Sequence, residues 1–155
     1  MKKIITNTVF LILFLFIPLL ISATVYTTIS DGNWADGANW DQGSPPSFGW
    51  GNSDEVYVKH EMTLTADVSM QSSYVEISSS GKILGNNTFK ITMTNLVQII
   101  NDGEINVKQI STGYQKASLR NNADLITNDG LSISGSMDTI LNYGTEIEVI
   151  LRLIH

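Results

Sequence analysis

Apolar and polar residues alternate one for one over much of the chain, in short runs set between Gly, Asn, Asp and Ser. Val56-Tyr57-Val58, Met62-Thr63-Leu64-Thr65, Tyr74-Val75-Glu76-Ile77, Phe89-Lys90-Ile91-Thr92-Met93 and Glu104-Ile105-Asn106-Val107 are the clearest. A period of two sends successive side chains to opposite faces, so each run predicts a strand with one face buried. After the N-terminal segment no stretch sustains apolar residues at i, i+3, i+4 and i+7, the mark of an amphipathic helix. The pattern predicts an all-β chain.

The runs also repeat. VEISSSGKIL from Val75, VQIINDGEIN from Val97, ASLRNNADLI from Ala117 and DTILNYGTEI from Asp138 align on a small residue at the seventh place. That residue is Gly81, Gly103, Ala123 and Gly144, at spacings of 22, 20 and 21. Four places earlier stand Ile77, Ile99, Leu119 and Ile140; two places earlier stand Ser79, Asn101, Asn121 and Asn142. Two places later come Ile83, Ile105 and Leu125, and the fourth copy slips by one to Ile147. A repeat of about 20 residues, made of short strands and tight polar turns, is one coil of a β-solenoid. The phase predicts a solenoid of about five coils over residues 56–155. A β-sandwich or jelly roll shares the alternation but not the phase.

Stacking then assigns roles. Ile77, Ile99, Leu119 and Ile140 form one buried column and Ile83, Ile105 and Leu125 a second. The small residue sits where the backbone turns sharply or takes a positive φ. Asn101, Asn121 and Asn142 form a structural ladder in which side-chain amides hydrogen-bond along the axis.

The first residues belong to a different class. Met1-Lys2-Lys3 is basic, Val9 to Ile21 is almost unbroken apolar sequence, and Ile21-Ser22-Ala23 ends on a small residue. This layout predicts a secretory signal peptide over 1–23, with a retained N-terminal anchor as the alternative. The apolar run is short for a spanning helix, which takes about 20 residues. Cleavage after Ala23 leaves no stable membrane span and changes the net charge from −6 to −8, seven basic residues against fifteen acidic. This acidic balance disfavours nucleic acid and anionic membranes as partners, because both are repelled, and the expectation is no nucleic-acid partner. The chain has no cysteine, so disulfides, thiolate metal sites, a cysteine nucleophile and a cysteine-linked lipid anchor are excluded. The expected location is secreted or cell-surface.

Residues 31–50 hold all three tryptophans among Gly, Pro and short polar side chains. Either they plug the open end of the solenoid or they offer a platform to a sugar. Trp34 and Trp40 are expected to fold back over the first coil near Val56, Val58 or Leu64, as a cap over residues 24–55. Trp50, flanked by Gly49 and Gly51, is the best ligand-binding candidate, with Trp34 and Trp40 behind it. Asp31, Asn33 and Asp36, with Asn39 and Asp41, crowd oxygens that suit calcium, against the commoner role of such residues in capping turns. The spacing does not fit an EF-hand, and no other cofactor is expected. His60 lies at a strand corner without a recognisable catalytic partner, and Lys108, Lys116 and Arg120 are scattered. No constellation predicts an enzyme.

The N-terminal residues also carry a resemblance. Gly32-Asn33-Trp34, Asn39-Trp40, Pro45-Pro46, Asp54-Glu55-Val56-Tyr57-Val58 and Met62-Thr63-Leu64-Thr65-Ala66-Asp67 resemble the opening of exported surface proteins of the Bacteroidetes. Part of the pattern is similar to the start of the extracellular module named for its eight glycines. The resemblance implies an N-terminal cap on a right-handed parallel β-helix, in a non-catalytic, adhesin-like structural and interaction protein. The alternatives are a carbohydrate-binding module and the N-terminal part of a polysaccharide-active enzyme, with extracellular polysaccharide or cell-surface glycan as partner. Such proteins continue for hundreds of residues, whereas this sequence stops in the apolar run Glu148 to His155 without a polar cap. The expectation is a truncated chain.

Overall fold

The computed structural model describes residues 23–49, 51, 53–113, 116–134, 139–144, 146–147 and 152–153. The expected signal peptide over 1–23 and the Trp50 platform fall outside these residues, apart from Ala23.

Three parallel sheets run the length of the molecule. The first stacks β1 (Val25–Thr27), β3 (Glu55–Val58), β6 (Tyr74–Ile77), β9 (Gln98–Asn101), β12 (Ser118–Asn121) and β15 (Thr139–Asn142). The second stacks β2 (Gly32–Asn33), β4 (Glu61–Thr63), β7 (Lys82–Leu84), β10 (Glu104–Val107), β13 (Asp124–Thr127) and β16 (Glu146–Ile147). The third holds β5 (Val68–Gln71), β8 (Ile91–Thr94), β11 (Ile110–Thr112), β14 (Leu131–Ile133) and β17 (Arg152–Leu153). From β3 onward each strand pairs with the strand three places on in the chain, so the backbone visits the sheets in turn and climbs one rung per circuit. The chain is a β-solenoid. From β3 to β14 it makes about four turns, and β15 to β17 continue the path.

The expected cap is itself part of the stack. β1 pairs with β3 and β2 with β4, so residues 24–55 begin two of the three sheets. The third sheet starts one rung later, at β5. The chain between β2 and β3 forms a 3-10 helix (Gly37–Asn39) and then passes through Pro45-Pro46. Two consecutive prolines supply no backbone N–H to a ladder, which suits a segment that leaves the sheets.

Inward-facing apolar residues stack in columns. Met62, Ile83, Ile105 and Leu125 are in register through the second sheet and all are buried. In the first sheet the column reads Val56, Val75, Ile99, Leu119 and the partly buried Ile140. This corrects the sequence alignment: Ile77 faces Asn101 across the ladder, and Val75 takes the place opposite Ile99. The cause is the corner between β6 and β7, which spans Ser78-Ser79-Ser80-Gly81 where the next coil has only Asp102-Gly103. An alignment anchored on the glycines carries this two-residue surplus into the strand. Because the side-chain period is two, Ile77 still points inward and is fully buried, but Ser79 is an exposed corner residue outside the Asn column. Ile147 likewise pairs with Ile126, and Glu146 stands opposite Leu125.

The small-residue column is explained by close approach. None of Gly81, Gly103 and Gly144 has a positive φ. A Cβ on Gly81 would press on the carbonyl oxygen of Val58, one on Gly103 on the carbonyls of Gly81 and Ser78, and one on Gly144 on the carbonyl of Ala123. Successive corners stack backbone on backbone here.

Candidate functional site

The N-terminal aromatic cluster is a packed plug. Trp40 is 1 % exposed and Trp34 6 %. Their rings meet edge to face at 5.0 Å and 77°, and Trp40 Nε1 donates to the carbonyl oxygen of Trp34 at 2.9 Å. Tyr26 meets Trp40 edge-on at 6.4 Å, and Phe48 stacks on Trp34 at 6.3 Å and 20°. The cluster is continuous with the core that contains Val56, Val58 and Leu64. Both indoles are buried, so neither Trp34 nor Trp40 presents the open ring that sugar stacking needs. Beside them a cleft of about 240 Å3 lies between Trp34, Pro45 and Phe48 on one side and Leu64, Thr65 and Asp67 on the other.

The candidate calcium oxygens are directed to separate amides. Asp31 Oδ1 accepts from the Glu61 N–H at 2.8 Å, Asn33 Oδ1 from the Ala35 N–H at 2.9 Å, and Asp36 Oδ1 from the Ala38 N–H at 3.0 Å. Asp41 Oδ1 accepts from the Thr27 N–H at 2.8 Å, and Asn39 Nδ2 donates to the Asn33 carbonyl at 3.0 Å. These bonds hold the turns that carry the tryptophans. Among the described residues no group of three or more His, Asp or Glu side chains is placed to hold a metal ion.

His60 has a structural position at the β3–β4 corner. The buried Thr28 Oγ1 accepts from the N–H groups of Lys59 (2.9 Å) and His60 (3.2 Å) and lies 3.1 Å from His60 Nδ1. Lys116 and Arg120 are exposed.

Inside the coil, Asn101 Nδ2 donates to Asn121 Oδ1 at 2.7 Å and Asn121 Nδ2 to Asn142 Oδ1 at 2.8 Å. The second amide proton of Asn101 goes to the Asp124 carbonyl (2.9 Å) and that of Asn121 to the Ala123 carbonyl (2.9 Å). Asn101 and Asn121 are fully buried and Asn142 is exposed. The amides tie three rungs together and hold the adjoining corner.

The outer face of the first sheet carries a second arrangement. Glu55 and Tyr57 project from β3, Tyr74 and Glu76 from β6, and the register sets Glu55 beside Tyr74 and Tyr57 beside Glu76. The four half-buried side chains make a checkerboard. Tyr57 donates to Glu55 Oε2 at 3.0 Å and Tyr74 to Glu76 Oε2 at 2.7 Å, while the rings lie 6.1 Å apart, tilted 58°. The bond to Glu55 raises the Tyr57 phenol, and burial with the bond to Glu76 pushes Tyr74 from 10.0 to about 12. Both hydroxyl protons are thus committed to the neighbouring carboxylates.

Next to Tyr74 the face dips into a recess of about 280 Å3 lined by Glu55, Ser72, Tyr74, Leu96 and Gln98. Leu96 is 60 % exposed at φ +59°, and Ser72 has φ +46°. A leucine held in the left-handed region costs backbone strain, and here the strained corner keeps its side chain in solvent beside the ring. None of these residues stands out in sequence reading. The signal was the mirrored pair Glu55-Val56-Tyr57 and Tyr74-Val75-Glu76, which becomes a patch only when the strand register is known.

No protein-family model, no curated protein and no solved structure matches the chain.

Proposed function

We propose that the chain is an exported, non-catalytic β-solenoid of the cell surface or the secreted fraction, an adhesin-like structural and interaction module. The observation that carries this reading is the in-register stack itself. A continuous column of paired strands is a stiff scaffold that holds outward side chains in fixed rows, the usual way repeat proteins build extended binding surfaces. The basic-apolar-small layout of residues 1–23 supports export, and the acidic balance suits an extracellular surface.

The test is to express the full sequence in an exporting bacterial host, determine the N-terminus of the accumulated protein by mass spectrometry, and label intact cells with a membrane-impermeant reagent. A chain beginning at Thr24, found on the surface or in the medium, is the expected result. A chain beginning at Met1 and protected inside the cell contradicts it.

A second reading, carbohydrate binding, draws on the checkerboard of Tyr57, Tyr74, Glu55 and Glu76. Aromatic surface beside hydrogen-bond acceptors suits the apolar faces and hydroxyl donors of a polysaccharide.

A further inference from the structure

The two exposed acidic rows of the solenoid differ in one respect. On the second sheet, Lys82 stands between Glu61 and Glu104, with its Nζ 3.9 Å from one carboxylate and 3.2 Å from the other. On the first sheet, Glu55 has Val25 and Tyr74 as its register neighbours, and Glu76 has Tyr57 and Ile100. Among the described residues neither Glu55 nor Glu76 makes an ion pair. Each accepts a tyrosine hydroxyl on Oε2, a neutral donor that leaves the carboxylate charge uncompensated. The patch therefore combines two carboxylates without an ion pair and two half-buried tyrosine rings, with the exposed amide of Gln98 and the hydroxyl of Ser72 beside them in the recess.

That is the chemistry of a cation site. A protonated amine is attracted both to the carboxylates and to the face of a tyrosine ring. We infer that the outer face of the first sheet, from Tyr57 and Glu76 to the recess at Tyr74 and Leu96, binds a glycan bearing free protonated amines, an amino-sugar polymer. The inference rests on the carbohydrate reading above and names its ligand class. The sugar rings lie over Tyr57 and Tyr74, their amines meet Glu55 and Glu76, and Leu96 closes one side of the recess against the apolar face of a ring. Acidic glycans are repelled by the same carboxylates.

Isothermal titration of the mature chain with short chitosan oligosaccharides, their fully N-acetylated counterparts, a neutral β-glucan oligomer, an alginate oligomer and oligolysine tests this. The variants are Glu55→Gln with Glu76→Gln, Tyr57→Ala, Tyr74→Ala, and Glu61→Gln on the second sheet as a control, each checked for an unchanged circular-dichroism spectrum. The expected result is binding of the chitosan oligomer, at least about tenfold weaker binding of the acetylated one, and a similar loss in the paired glutamate variant, as for one strong charge contact. Either tyrosine variant weakens binding and Glu61→Gln does not. Equal binding of acetylated and free-amine oligomers, lost with Tyr74, overturns the amine assignment and leaves the carbohydrate reading standing. Binding weakened equally by Glu61→Gln reveals general attraction to an acidic protein and overturns the site. Oligolysine binding as tight as chitosan, with the same variant pattern, overturns the glycan as the source of the amine. No binding of any glycan by the folded chain overturns both readings.

Discussion

The side chain of Asn101 donates to Oδ1 of Asn121 at 2.7 Å inside the coil, and Asn121 repeats the bond toward Asn142 at 2.8 Å. A buried amide is tolerated only when its donors and acceptor are engaged. In this column they are: Asn101 and Asn121 each donate along the axis and to a corner carbonyl, and the oxygen of Asn101 accepts from the Gly103 N–H at 3.2 Å. The ladder begins at Asn101 because the preceding rung presents Ile77 there, which has nothing to share.

Asn121→Ala strips Asn101 of one acceptor in a fully buried site and frees the Ala123 carbonyl. The expected cost is about 1–3 kcal/mol, the penalty of a buried polar group left without its partner. Asn142→Ala, at the exposed end where water replaces the lost bond, costs less. Urea denaturation of the chain from Thr24 onward, followed by circular dichroism, measures both. An unchanged midpoint for Asn121→Ala contradicts the ladder.

Corner packing makes a sharper steric prediction. Gly103→Ala drives a methyl group into the carbonyls of Gly81 and Ser78, which are backbone and cannot swing aside. A loss of about 1–3 kcal/mol is expected, as for overpacking in a core. Ala123→Gly, at the equivalent corner of the next coil, removes a methyl group the fold already accommodates and costs about 0.5–1 kcal/mol through added backbone freedom. Thermal melts of the two variants rank them, and equal losses contradict the close-approach explanation.

The alternation of apolar and polar residues and the repeat phase made the solenoid readable before any coordinates, because both depend on periodicity alone. Pairing of Ile83, Ile105 and Leu125 was readable for the same reason. The partner of Ile77 was not, since a two-residue surplus in the Ser78–Gly81 corner changes register without changing which face is buried. The checkerboard of Glu55, Tyr57, Tyr74 and Glu76 was hidden more deeply. Glu55 and Tyr74 are adjacent only through pairing of β3 with β6, a contact between residues far apart in the chain. The turn role of Asp31, Asn33 and Asp36 was legible as one of two possibilities, and only the individual N–H partners show what each oxygen holds.

The tryptophan plug predicts a fluorescence signature. In a Trp50→Phe background, which leaves Trp34 and Trp40, emission is blue-shifted and acrylamide quenches it poorly, because both indoles are buried. Trp40→Ala in the chain from Thr24 onward opens the aromatic cluster and costs about 3–5 kcal/mol, the range for truncating a large buried aromatic. Red-shifted, readily quenched emission from the Trp50→Phe protein contradicts the plug.

Alkaline titration probes the checkerboard. The Tyr74 phenol is raised from 10.0 to about 12, so the folded state disfavours its phenolate. A group whose folded pKa lies above its unfolded value stabilises the fold fully below pH 10 and loses that contribution as pH rises through 12. Absorbance at the phenolate band is expected to show late ionisation of Tyr74, and stability is expected to decline over the same interval. Glu76→Gln, which removes the neighbouring carboxylate, brings the ionisation earlier, and Glu61→Gln leaves it where it is.

Stacking of parallel strands in register is the premise on which the core columns, the ladder and the outward face all depend. Nuclear Overhauser contacts in the isotope-labelled chain from Thr24 onward test it most directly. The structure predicts contacts between the methyl groups of Leu119 and Ile99, side-chain amide contacts from Asn101 to Asn121, and inter-strand backbone contacts between Tyr74 and Glu55, with strands about 4.8 Å apart. Strong reciprocal Hα–Hα contacts between antiparallel neighbours, with Leu119 remote from Ile99, would contradict the solenoid and every surface built on it.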